Sequence, residues 1–92
     1  MTDFIDQLFA ILQDRKANPT PGSYTASLLA DEDEIVKKIG EEAIEVILAA
    51  KGQGNQRIIE ESADLVYHLL VLLVSQDLTW DEVRHELAQR HK

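Results

Sequence analysis

Leu65-Val66-Tyr67-His68-Leu69-Leu70-Val71-Leu72-Leu73-Val74 decides the fold. At 100° per residue its apolar side chains cover nearly the whole circumference of a helix, and a helix that is apolar all round must be buried all round. His68 interrupts the run, which is far shorter than the ~20 residues a membrane span needs. Lipid is therefore not the cover, and other helices must be. One small chain with four or five helices can hardly enclose this one. The expectation is a homo-oligomer, most simply a two-fold dimer built on this helix. The alternative is that short outer helices cover it within one subunit.

Helical spacing continues in both directions from that run. Asn55 to Ser75 reads as the complete helix, and Gly52 and Gly54 end the helix before it. Before the glycines, a long helix runs from the acidic stretch Asp31–Glu34 to about Ala50, acids being favoured at a helix start. Asn18-Pro19-Thr20-Pro21-Gly22 is a loop, because two prolines and a glycine break any regular element. Ser23 is the N-cap of a short helix through Leu29. Phe4, Ile5, Leu8, Ile11 and Leu12 follow the i, i+3, i+4, i+7 pattern, so a first helix covers about Asp3 to Lys16. Downstream, Thr79 with Glu82 matches a capping box and opens a last helix from Trp80 to about Gln89, with Trp80 as its hydrophobic anchor. No stretch alternates as a strand does. The predicted class is all-α, four to five helices forming a bundle completed by dimerisation, in a single domain over residues 1–92.

Composition narrows the function classes. The 92 residues carry 9 basic and 17 acidic side chains, a net charge of −8. Such a balance opposes binding to a nucleic-acid backbone, which needs a dense basic footprint. Cysteine is absent, which excludes disulfides and thiolate metal sites. Met1 to Ala10 has no basic n-region of a secretory signal. The expected setting is cytoplasmic, with no membrane and no nucleic-acid partner. A chain of this size buries only roughly 60–65% of its unfolded surface, which again favours pairing.

The acids carry the chemistry. Ile35, Ile39, Glu42, Val46 and Ala49 fall on one stripe of the third helix, with Glu42 in its middle and Glu45 at its edge. On the fourth helix, Glu61, Asp64 and His68 share a face with Ile58, Leu65 and Leu72, and Arg57 lies one turn before Glu61. Each helix thus directs a carboxylate pair at i, i+3 spacing toward the core side. Unpaired carboxylates in apolar surroundings cost several kcal/mol and repel one another. Oxygen-only ligands suit Mg²⁺ or Mn²⁺, and a bound divalent cation would remove the penalty. Spacing alone leaves this and ordinary pairing with Lys37 or Lys38 as equal alternatives. His68 reads as a satisfied core histidine.

Glu41-Glu42-Ala43-Ile44-Glu45, fifteen residues, then Glu61-Ser62-Ala63-Asp64 resembles the E-E-x-x-E…E-x-x-D signature of the all-α nucleoside triphosphate pyrophosphohydrolases. Gly22-Ser23-Tyr24-Thr25-Ala26-Ser27-Leu28-Leu29, Lys37-Lys38-Ile39-Gly40-Glu41-Glu42-Ala43 and Ala63-Asp64-Leu65-Val66-Tyr67-His68-Leu69-Leu70 are similar, within that superfamily, to the phosphoribosyl-ATP pyrophosphatase family of histidine biosynthesis. The resemblance runs nearly end to end and looks like the stand-alone form, without a fused cyclohydrolase. It implies hydrolysis of phosphoribosyl-ATP to phosphoribosyl-AMP and pyrophosphate. It also implies Mg²⁺, with Mn²⁺ as substitute, on Glu42, Glu45, Glu61 and Asp64. Glu41 is then the residue that positions water or acts as an outer base, beside Glu42 and Glu45. Lys38, one turn before Glu42, is the favoured phosphate contact, followed by Lys37. Ser23, Tyr24 and Thr25 become substrate contacts by the resemblance, although capping alone explains Ser23. Arg57 serves either substrate or Glu61. No glycine-rich phosphate loop is present, so metal and side chains must meet the phosphates. Two rivals remain: a house-cleaning pyrophosphohydrolase acting on dNTPs, and a non-catalytic helical dimerisation module.

Overall fold

The computed structural model describes residues 3–91, which form five α-helices: α1 Phe4–Ala17, α2 Tyr24–Leu29, α3 Glu32–Ala50, α4 Asn55–Ser75 and α5 Trp80–Arg90. Every boundary has a local cause. Asp3 caps α1 by accepting from the Asp6 amide, and Ser23 caps α2 by accepting from the Ala26 amide. Asp31 caps α3 through the Glu34 amide. Thr79 and Glu82 form the reciprocal capping box at α5. Gly54 stands at the N-cap of α4 with φ 91°, a conformation that penalises any side chain. Gly54 therefore belongs to the start of α4, while Gly52, whose amide donates to the Ala49 carbonyl, belongs to the close of α3 after Lys51. At the other end, the Leu78 amide donates to the Leu73 carbonyl and the Asp77 amide to that of Val74, with Asp77 at φ 57°. This is a Schellman closure with aspartate where glycine is favoured. Lys16 compensates, donating to the Val74 carbonyl at 3.2 Å and pairing with Asp77 at 2.7 Å, which ties the end of α1 to the end of α4.

The core lies where α1, α2 and α3 meet α4. Phe9 and Leu12 of α1, Leu28 of α2, Ile35 of α3, and Leu70, Val71 and Val74 of α4 form one buried cluster. Ile35, Leu70 and Val71 are 0% exposed. Leu70→Ala should lower the unfolding free energy by about 3 kcal/mol, the usual loss for a buried leucine that leaves a cavity. Urea titration followed by circular dichroism checks this. α5 joins through Trp80 and through Arg84, which pairs with Asp6 at 2.8 Å and Asp81 at 2.5 Å.

α4 is not sealed by its own chain. Leu65, Val66, Leu69, Leu72 and Leu73 stay half-buried and Ile59 is exposed. The largest bare apolar face lies elsewhere, on α3. Val36, Ile44, Ile47 and Leu48 are all 48% exposed or more, on the side of the helix opposite Glu42. No helix among the described residues is long and apolar enough to cross a membrane.

Candidate active site

α3 and α4 pack against each other over most of their length, joined by the turn at residues 51–54. This hairpin brings the middle of α3 opposite the first half of α4. Glu42 from α3 meets Glu61 and Asp64 from α4, and one carboxylate oxygen from each lies within 4.8 Å of the others. The three differ in environment. Glu61 is buried, Glu42 is partly buried and Asp64 is exposed.

Basic side chains hold the first two. Lys38 Nζ stands 3.7 Å from a Glu42 oxygen, and Arg57 pairs with both Glu61 and Glu60. The Tyr24 phenol beside it, with Glu41, Glu42 and Glu34 behind, holds the Lys38 ammonium above its ordinary pKa despite partial desolvation. Lys38 is therefore a permanent cation at the rim of the cluster. Arg57 is raised as well, first by Glu60, and lowers the Glu60 carboxyl in return.

Two cations against three convergent carboxylates leave negative charge concentrated at one point, and the donor set contains oxygen alone. That chemistry fits a hard divalent cation better than a soft one. The open side is the Asp64 side, so a ligand can enter without unfolding the hairpin. Glu42, Glu61 and Asp64 are the residues that could hold the ion.

The other candidates scatter around this centre. Glu45 is half-buried and lies outside the three-carboxylate group. Glu41 and Lys37 are exposed on the flank of α3. Asp64 also departs from the sequence reading, which set all four acids toward the core: residues three apart differ by 60° around a helix, and here that rotation carries Asp64 to the solvent edge while Glu61 stays inside.

α2 forms the opposite lip. The Ser23 hydroxyl is used as the α2 cap, accepting from the Ala26 amide at 3.2 Å. Thr25 Oγ1 contacts the Tyr67 hydroxyl. Tyr24 keeps about half its surface open while its hydroxyl lies 2.9 Å from His68 Nε2. Burial pushes the Tyr24 phenol up against the opposing pull of Lys38, so it is a donor at neutral pH. The sequence reads His68 as a satisfied core histidine but does not name what satisfies it. Its partner, Tyr24, is 44 positions away and no spacing rule connects them.

A family model described as phosphoribosyl-ATP pyrophosphohydrolase matches residues 5–91. Several curated proteins named phosphoribosyl-ATP pyrophosphatase are similar over nearly their whole length. The one from Haloarcula marismortui is 50% identical, covering 96% of this chain and 93% of its own. That from Metallosphaera sedula is 45% identical and that from Methanocella arvoryzae 42% identical, each match covering 100% of both chains.

Proposed function

The chain belongs to the phosphoribosyl-ATP pyrophosphohydrolase family, and from that premise we propose that it hydrolyses phosphoribosyl-ATP between the α and β phosphates, giving phosphoribosyl-AMP and pyrophosphate in histidine biosynthesis. The observation that carries the reading is the convergence of Glu42, Glu61 and Asp64 beside Lys38. The ion assigned to these acids is Mg²⁺, with Mn²⁺ as substitute, and the enzyme is assigned to the cytoplasm as a homodimer, with no nucleic-acid or membrane partner.

When bound, Mg²⁺ supplies neutralisation of polyphosphate charge and acidifies a coordinated water. The chain's own residues do the rest. Glu42, Glu61 and Asp64 grip the ion, and Arg57 keeps the Glu61 carboxylate aimed outward from α4. Glu45, one turn beyond Glu42, is the fourth acid proposed for the site. Lys38 offers its ammonium to a phosphate oxygen, which lets a strongly acidic protein accept a polyanion. Lys37 and Arg57 lend further positive charge at the entrance. Glu41, exposed and outside the three-carboxylate group, is assigned to orienting the attacking water. Ser23, Tyr24 and Thr25 bound the pocket on the α2 side and are assigned to substrate. The reaction adds water in line with phosphorus and releases pyrophosphate, so positioning and charge neutralisation carry most of the catalysis.

Pyrophosphate release should require Mg²⁺ and vanish with excess chelator. kcat/KM for phosphoribosyl-ATP should exceed that for dUTP, dCTP and the other dNTPs by about 10²-fold or more, as expected when a site built for one polar substrate rejects others. The reverse ranking identifies a house-cleaning enzyme. Mg²⁺ at a hundred times its dissociation constant should add about 2.7 kcal/mol to the unfolding free energy. A melting temperature indifferent to Mg²⁺ would point to a non-catalytic module.

A further inference from the structure

Among the described residues only two polar side chains are buried, Glu61 and His68. Glu61 belongs to the acid cluster. His68 lies two turns further along α4, and the reaction proposed above gives it no task. Its surroundings are nonetheless specific. Nδ1 stands 2.7 Å from the Asp64 carbonyl oxygen, which can only accept, so Nδ1 carries the ring proton. Nε2 is left as a lone-pair acceptor, and the Tyr24 hydroxyl donates to it at 2.9 Å. The imidazole also lies edge-on between two tyrosines, its centroid 6.1 Å from the Tyr24 ring and 5.2 Å from the Tyr67 ring.

These contacts have a consequence for α2. The helix has six residues and follows a loop with two prolines. A helix this short has no stability of its own. Its place is set by buried Leu28, by Thr25 against Tyr67, and by Tyr24 against His68. Of these, only the last runs directly from the acid site to its opposite lip, because Asp64 contributes its carboxylate to the cluster and its carbonyl to His68.

We propose that His68 is a positioning residue for substrate binding: fixed by the Asp64 carbonyl, its Nε2 holds the Tyr24 hydroxyl and thereby sets the half-exposed Tyr24 ring at the α2 lip of the acid site, where the nucleotide enters. This rests on the assignment of Tyr24 to the substrate pocket. His68 acts through Tyr24 and touches no substrate itself.

The test is a double-mutant cycle on the full chain with Mg²⁺, using whichever nucleotide of the panel above the unaltered protein turns over. His68→Leu removes the acceptor, Tyr24→Phe removes the donor, and His68→Gln keeps an acceptor at similar reach. Each of the first two should raise KM about tenfold, the worth of one well-placed hydrogen bond, with kcat changed less than about threefold. The double variant should be no worse than either single one. His68→Gln should recover most of the loss. Additive effects in the double variant, or a fall in melting temperature for His68→Leu with KM unchanged, would overturn the inference while leaving the assigned reaction intact. Failure of every nucleotide to turn over would remove the assigned reaction and this inference together.

Discussion

Asp64→Asn should give a folded protein that releases pyrophosphate about 10³-fold more slowly, corresponding to loss of several kcal/mol of charge stabilisation at the phosphates. The substitution preserves side-chain volume and removes one charge. Asp64 is exposed and forms no ion pair among the described residues, so the fold has little to lose. Glu42→Gln should cost activity by a similar factor, but it also breaks the pairing with Lys38 at 3.7 Å. Glu61→Gln is the least clean of the three, because Glu61 is buried and Arg57 is aimed at it. In a chelator-treated sample the melting temperature of Asp64→Asn should rise slightly, since three like charges converge there and one is gone. With Mg²⁺ present the order should invert, because only the unaltered protein binds the ion tightly. Steady-state pyrophosphate release and two melting curves, with chelator and with Mg²⁺, check all three expectations. Near-normal turnover in Asp64→Asn would remove the acid cluster from the chemistry.

Helix boundaries were legible because each rests on a local device. Ser23, Thr79 with Glu82, and the Pro19–Gly22 break all act within four residues of themselves. The pairing of Glu42 with Glu61 and Asp64 was legible because both helices repeat one periodicity and a four-residue turn folds them together. Finer placement was not. An i, i+3 pair straddles 60° of helix surface, so periodicity alone could not say that Glu61 turns inside and Asp64 outside. The clasp between Tyr24 and His68 depends on where α2 docks, which no local signal encodes. The second apolar face of α3 was within reach of the sequence and was missed. Val36, Ile44, Ile47 and Leu48 fall between the residues of the stripe that holds Glu42, and the same period applied to the rest of the helix finds them. The dimer expected from the sequence is built on α4, whose apolar run is more conspicuous and is partly covered by α1, α2 and α3; the α3 face is a second surface for it.

That bare face of α3 leads to the second large expectation: Ile47→Glu should turn a dimer into a monomer. The described chain exposes 6363 Å², whereas a monomer of 10.4 kDa normally exposes about 5,400 Å². Its radius of gyration is 14.3 Å against about 12.3 Å for a close-packed domain of this length. The surplus, of order 1,000 Å², is comparable to the ~800 Å² per partner of a stable interface. Gly40 adds a separate reason. It sits on the outward side of α3 near Val36 and Ile44, and a methyl group there would meet nothing within 4 Å. In a lone chain alanine at that position would be better by about 1 kcal/mol, and a second backbone passing close to it would give the glycine a reason. Ile47 is 59% exposed in the single chain, so glutamate costs the isolated subunit little, yet two-fold pairing would bury the charge twice. At micromolar concentration the unaltered protein should sediment at twice the chain mass and Ile47→Glu at the chain mass, while Gln89→Glu on the open side of α5 should stay paired. If Ile47→Glu remains a dimer, the contact does not run through this face of α3, and the apolar groove between α4 and α5 lined by Leu73, Leu78, Val83 and Leu87 is the next surface to test, by Val83→Glu.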